Sequence, residues 1–176
     1  MAASGVHPKQ VHELRSFLDY FEPLMEFMES LPPEERVVLV GHSMGGIGVP
    51  VAIEKFPEKI SAGVFVAAAM PGPDFDYKTI AQKNLVLATL LVRPYPLFSD
   101  LAIHNEILLT KERYRSVHRV YVVCDQENDV FQRLMIENNP PDEVKVIPNS
   151  DHMVMFSKPH DLCSSLMEIG DKYHST

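Results

Sequence analysis

An apolar run followed at once by small residues constrains the fold of this chain more than any other segment. Residues 37–40 are Val-Val-Leu-Val, and residues 41–46 are Gly-His-Ser-Met-Gly-Gly. A run of this composition is typical of a strand buried on both faces of a parallel sheet. The small residues after it predict a tight turn into a helix, and Gly-x-Ser-x-Gly at such a turn is typical of a nucleophile elbow.

The predicted turn limits which side chains fit in it. We expect any side chain larger than glycine at Gly41 and Gly45 to collide with neighbouring backbone. Ser43 is then the candidate nucleophile, and the backbone N–H of Met44 is the candidate donor to an oxyanion. The motif alone is weak. The strand before it, Gly46 after it and a suitable histidine downstream favour a catalytic serine over a turn that serves close packing.

Length, composition and charge bound the class of protein. The 176 residues are 45% hydrophobic, which suffices for one domain with its own core, and no shift in composition divides them. A net charge of -8 argues against nucleic acid or an anionic membrane as partner, because both require clustered Lys and Arg. We therefore expect a small neutral or apolar molecule as the partner.

Two further features concern the compartment. The chain has two cysteines, Cys124 and Cys163, too few for a disulfide framework and normal for a reducing compartment. Its first residues lack the basic and apolar regions of a signal peptide, and no apolar run is long enough to span a bilayer. These observations predict a soluble protein of the cytoplasm.

Strands and helices are predicted to alternate along the chain. The predicted strands lie at residues 37–40, 60–68, 119–124 and 144–147, and the predicted helices at residues 11–31, 44–56, 130–138 and 160–173. Such alternation predicts a single α/β domain over residues 1–176, with a parallel sheet, helices on both faces and right-handed crossovers. Residues 71–118 are expected to form an excursion from the sheet.

A nucleophilic serine requires a histidine within hydrogen-bond reach and a carboxylate that orients the histidine. In hydrolases with this elbow the chain order is serine, acid, histidine. His152 fits, because it follows the last predicted strand in a polar loop. The loop after the third strand offers Asp125, Glu127 and Asp129, and the spacing alone leaves the acid open. No metal or organic cofactor is expected, because neither ligand spacing nor a phosphate-binding pattern occurs.

Short motifs spread over most of the chain occur in a very specific order. They are Ala2-Ala3-Ser4-Gly5, Glu22-Pro23-Leu24-Met25, Val40-Gly41-His42-Ser43-Met44-Gly45-Gly46, Glu54-Lys55-Phe56-Pro57-Glu58-Lys59-Ile60, Arg113-Tyr114-x-Ser116-Val117, Phe131-Gln132-Arg133 and Ser150-Asp151-His152-Met153-x-Met155. In these motifs the chain resembles the plant methylesterase and hydroxynitrile lyase family of α/β hydrolases. That family includes polyneuridine aldehyde esterases and esterases of methyl salicylate, methyl jasmonate and methyl indole-3-acetate.

The resemblance implies a role for each candidate residue. Ser43 is the nucleophile, His152 is the base, and Glu127 is the acid, since the family acid usually lies three residues after the cysteine that ends the strand. The implied activity is hydrolysis of methyl esters of small plant hormone-type acids. Lyases of the family carry Lys directly after the catalytic histidine. Met153 stands there in this chain, which argues against a lyase.

The resemblance also implies segments that this chain lacks. Family members begin with a further strand, a His-Gly oxyanion turn, a helix and a second strand, and they carry a longer cap than residues 71–118 would form. We therefore expect the strand at residues 37–40 to have an open edge through which the chain could self-associate. Half of the oxyanion hole would be missing. The alternative function is that of a catalytically inactive homologue that only binds a ligand.

Overall fold

A parallel sheet carries the site residues. The computed structural model of the chain describes residues 1–2, 8–76, 79–80, 107–126 and 129–174. Within them β1 (Val37–His42), β2 (Ile60–Val66), β3 (His118–Cys124) and β4 (Glu143–Ile147) pair in parallel in that order. The carboxyl ends of all four strands therefore meet at one edge of the sheet.

Helices cover both faces of this sheet. In the described ranges they are α1 (Phe17–Ser30), α2 (Gly48–Lys55), α3 (Lys111–Arg115), α4 (Asp129–Asn138), α5 (Val154–Ser157) and α6 (Pro159–Tyr173). One apolar cluster joins α1, α2 and α4 to the sheet through Met28, Ile53 and Met135, and a second joins α6 through Ile169. The predicted α/β architecture is confirmed. None of the helices in the described part of the chain is long and apolar enough to cross a membrane.

The first long helix begins later than the apolar spacing predicts. A short 3-10 helix, Val11–Glu13, comes first, and α1 starts at Phe17 because Ser16 caps it. The Ser16 hydroxyl accepts a hydrogen bond from the Asp19 N–H at 3.0 Å, and the Asp19 carboxylate accepts from the Ser16 N–H at 3.1 Å. The Asp19 carboxylate also accepts a hydrogen bond from the Arg15 N–H. This hydrogen bond is the main reason why the pKa of Asp19 is lowered.

The turn after β1 is tight at two of its glycines. It forms a 3-10 helix, Ser43–Ile47, before α2 begins. A Cβ on Gly41 would lie 2.7 Å from the Gly46 Cα, and a Cβ on Gly46 would lie 2.1 Å from the carbonyl oxygen of Ala69. Apart from the adjoining residues of the turn itself, no atom of the described residues lies within 4 Å of a Cβ built on Gly45. The expected steric restriction at Gly45 is therefore wrong, because the turn presses on the chain after β2 through Gly46 instead.

The segment that faces Gly46 is itself fixed. The Tyr121 hydroxyl donates to the carbonyl oxygen of Ala68 at 2.8 Å and accepts from its N–H at 3.1 Å. The Asn139 amide donates to the carbonyl oxygen of Met70 at 2.9 Å. The Ala69 N–H donates to the carbonyl oxygen of Ser43 at 3.0 Å, which ties the segment directly to the turn. Ala69 consequently has little freedom to move away from a larger residue at position 46.

The two edges of the sheet differ in charge. At one edge, β1 pairs only with β2 among the described residues, its residues 37–41 are uncharged, and Val40 is 42% exposed. At the other edge, β4 carries Glu143 and Lys145, which form ion pairs with α6 at 2.6 Å each. The hydrogen bond from Lys172 is the main cause that lowers the pKa of Glu143. Charges discourage pairing between sheet edges, so the edge of β1 is the less protected one.

We predict that Gly46→Ala destabilises the protein much more than Gly45→Ala does. The new methyl group at position 46 meets a fixed backbone oxygen, and such overpacking costs about 1–3 kcal/mol or more. Gly45→Ala meets no described atom and should change the free energy of unfolding by less than about 0.5 kcal/mol. Urea denaturation of both variants measures the difference. Equal losses would contradict the contact between Gly46 and Ala69.

We also predict that the chain self-associates through the exposed edge of β1. Light scattering during size-exclusion chromatography should show a mass that rises with protein concentration. Val40→Lys should reduce the association, since a lysine on an edge strand opposes pairing. Val146→Lys, at a residue of β4 that is 57% exposed, is the matched control and should leave it unchanged. A wild-type chain that stays monomeric at all concentrations would refute the prediction.

Candidate active site

Ser43 lies where β1 ends and the helical turn begins. Its backbone φ is 54°, in the left-handed region that residues other than glycine rarely adopt. Such a conformation persists only where the surrounding contacts enforce it, and it is common at functional sites. Here the enforcing contacts are the approach of Gly46 to Ala69 and the hydrogen bond from Ala69 to the Ser43 carbonyl oxygen. The predicted elbow is therefore present in its geometry as well as in its sequence.

His152 lies in the loop between β4 and α5, at the same edge of the sheet as Ser43. Its Nε2 is 3.0 Å from the Ser43 Oγ, although the two residues are 109 positions apart in the chain. This is the distance required between a nucleophile and its general base. The serine hydroxyl can donate to Nε2 when the proton of the neutral ring resides on Nδ1. His152 Nδ1 is buried, as is usual for the nitrogen that faces the acid of a triad.

Ser150 fixes the loop that carries His152. It is fully buried, and its hydroxyl donates to the carbonyl oxygen of Ile147 at 2.6 Å. Its N–H donates to the Asp125 carboxylate at 3.2 Å, and its carbonyl oxygen accepts from the Gln126 N–H at 2.9 Å. Asn149, just before it, has a φ of 56°, so the loop turns sharply after β4. Asp125, one of the three candidate acids, thus contacts the backbone of this loop.

The position of the loop after β3 depends on a buried glutamine for which the sequence pattern assigned no role. The Gln132 side chain accepts from the Cys124 N–H at 2.9 Å and donates to the Cys124 carbonyl oxygen at 2.8 Å. Gln132 is completely buried on α4. Both of its contacts end on one residue, so it holds the end of β3 in register with α4. The sequence feature that could have indicated this contact was a polar residue at an inward-facing position of α4.

A second contact not predicted from the sequence involves His42. Its Nε2 donates to the carbonyl oxygen of His152 at 2.7 Å. The two rings also contact each other, with centroids 4.7 Å apart and planes inclined by 43°. The two histidines are thereby packed as a pair beside Ser43.

The predicted acid lies outside the described residues. This holds for Glu127 and for the side chain of Asp129, whose backbone begins α4. Most of the expected cap, residues 77–78 and 81–106, lies outside them as well. Met44, the candidate oxyanion donor, is the second residue of the 3-10 turn and so directly follows Ser43.

Comparison with known proteins gives consistent matches along the chain. Residues 3–100 match the α/β hydrolase fold family. The chain is 44% identical over 221 residues to methyl jasmonate esterase 1 of Vitis vinifera, with 98% of this chain and 85% of that protein covered. It is 37% identical over 223 residues to salicylic acid-binding protein 2 of Nicotiana tabacum, with 99% of this chain and 85% of that protein covered.

A solved structure agrees with the sequence matches. Tomato methylketone synthase I complexed with 2-tridecanone superposes with a TM-score of 0.89 at 39% identity, covering 98% of this chain and 85% of that one. The alignment with the Vitis protein runs over 221 residues, more than the 176 of this chain, so that relative has internal residues without a counterpart here. The chain belongs to the plant methylesterase family of α/β hydrolases.

Proposed function

We propose that this chain is a serine carboxylesterase that hydrolyses methyl esters of small plant hormone-type acids. The observation that carries the proposal is the 3.0 Å separation of the Ser43 Oγ and the His152 Nε2, on a serine whose backbone adopts the strained elbow conformation. Methyl esters of jasmonate, salicylate and indole-3-acetate are the candidate substrates. The similarity to methyl jasmonate esterase 1 supports methyl jasmonate as the first to test.

The proposed reaction has two stages. In the first, the Ser43 oxygen attacks the ester carbonyl while His152 Nε2 takes the serine proton. The backbone N–H of Met44 donates to the oxyanion of the tetrahedral intermediate. His152 then gives the proton to the departing methoxide, and methanol leaves. In the second stage a water molecule, deprotonated by His152, attacks the acyl-serine. His152 then returns that proton to the Ser43 oxygen as the bond to the acyl carbon breaks, which releases the free acid and restores the serine hydroxyl.

Glu127 is the proposed acid of the triad. A carboxylate on the Nδ1 side of His152 would hold the tautomer that leaves Nε2 free to accept the serine proton. The contact of Asp125 with the Ser150 N–H supports this choice over Asp125, because that carboxylate already binds the loop backbone. Asp129 is the competing candidate.

We predict that Ser43→Ala abolishes ester hydrolysis. Loss of the nucleophile should lower kcat on the order of a thousandfold or more, because no other group forms the acyl intermediate. The assay is release of the free acid from the three methyl esters by the purified 176-residue chain. Ser164→Ala, on the exposed surface of α6, is the matched control and should retain full activity.

The outcome separates the two candidate functions. Turnover that disappears in Ser43→Ala and persists in Ser164→Ala supports the esterase. A folded wild-type chain that releases no acid overturns it. If that inactive chain still binds the free acids in calorimetry, the alternative of a ligand-binding homologue replaces the enzyme.

We predict that Glu127→Ala lowers kcat much more than Asp129→Ala does. Removing the acid of a triad costs on the order of a thousandfold or more in kcat, because the histidine loses its tautomer and orientation. A carboxylate outside the triad should cost far less. Steady-state kinetics on the best ester compares the two variants. Equal losses, or a larger loss in Asp129→Ala, would reject Glu127 as the acid.

A further inference from the structure

His42 precedes the nucleophile in the chain and binds the backbone of the residue that bears the base. Its Nε2 is 2.7 Å from the His152 carbonyl oxygen, across a sequence separation of 110 residues. A carbonyl oxygen only accepts, so this nitrogen carries a proton. We propose that His42 is a positioning residue that holds His152 at its working distance from Ser43. The inference rests on the proposed esterase function.

The connection between nucleophile and base through His42 is short. Ser43 is joined to His42 by one peptide bond, and His42 is joined to His152 by one hydrogen bond. Any shift of the elbow is therefore passed directly to the loop that carries the base. A misplacement of about 1 Å between reacting groups can cost on the order of a hundredfold in rate. A contact that fixes this distance has a corresponding effect on the chemistry.

The His152 loop is held from two sides. On the side of β3, Asp125 and Gln126 bind the backbone of Ser150. On the side of the elbow, His42 binds the backbone of His152, and its ring packs on the His152 ring at 4.7 Å. The first set of contacts fixes where the loop leaves β4. The second fixes the residue that faces the Ser43 hydroxyl.

Two substitutions separate the hydrogen bond from the ring contact. His42→Phe keeps an aromatic ring beside His152 and removes the donor. His42→Gln removes the ring and places an amide nitrogen near the position of the imidazole Nε2, so that it can still donate to the carbonyl oxygen. If the donor positions the base, Gln should restore much of what Phe loses. His160→Phe, at an exposed histidine of α6, is the matched control.

Phosphonylation of Ser43 by a fluorophosphonate probe, followed by intact-mass spectrometry, measures the activation of the serine without a known substrate. We expect His42→Phe to slow the labelling on the order of ten- to a hundredfold. His42→Gln should stay within about threefold of the wild type, and His160→Phe should be unchanged. On the best methyl ester, the loss in His42→Phe should lie in kcat with KM nearly constant, as expected for an interaction that acts on the chemical step.

Each result decides between the proposals. A folded wild-type chain that the probe does not label overturns the esterase function and this inference with it. A reactive wild type whose labelling rate is unchanged in His42→Phe overturns the inference alone, as does a loss that His42→Gln fails to recover. Urea denaturation checks that the variants fold. If His42→Phe does not fold, His42→Asn takes its place, because its shorter amide cannot reach the position of Nε2.

Discussion

The close approach of the turn after β1 to the chain after β2 is the contact on which the site depends. Gly46 leaves room for the Ala69 carbonyl, and the Ala69 N–H binds the carbonyl oxygen of Ser43. These contacts enforce a backbone conformation at Ser43 that a serine would not otherwise adopt. The strain at Ser43 is therefore sustained by packing between the segments that follow two neighbouring parallel strands. The hydrogen bonds of Tyr121 and Asn139 to the same segment extend that support into β3 and α4.

The sequence was sufficient to predict the sheet and to single out two residues, Ser43 and His152, whose side chains the structure brings together. Short apolar runs marked the strands. Each of β1 to β4 begins and ends within two residues of its predicted position. Ser43 and His152 could be paired in advance because both follow strands, and the carboxyl ends of parallel strands share one edge. The predicted start of the helix before β1 lay too far towards the N-terminus. The apolar spacing continues through the 3-10 helix at Val11–Glu13, whereas α1 begins only after its cap, Ser16.

Contacts between distant segments were not predictable in the same way. The motif suggested that Gly45 is sterically restricted, whereas the restriction lies at Gly46 because its partner is Ala69, a residue outside the motif. Gln132 and His42 bind backbone groups, and a backbone acceptor carries no signature in the sequence. The acid illustrates the same difficulty, because three carboxylates occur within five consecutive residues of the sequence. Their spacing gave no means of choosing among them, and Glu127 was favoured by resemblance alone.

The direct pairing of β2 with β3 has an evolutionary consequence. Residues 71–118 connect these two strands, yet the strands are neighbours in the sheet, with Val64 opposite Val120. The sheet that joins Ser43 at the end of β1 to His152 after β4 is thus continuous whatever the length of this connection. Relatives with extra internal residues and this shorter chain can share one sheet. A change in the length of the connection between β2 and β3 consequently need not alter the separation of Ser43 and His152, because neither residue lies on that connection.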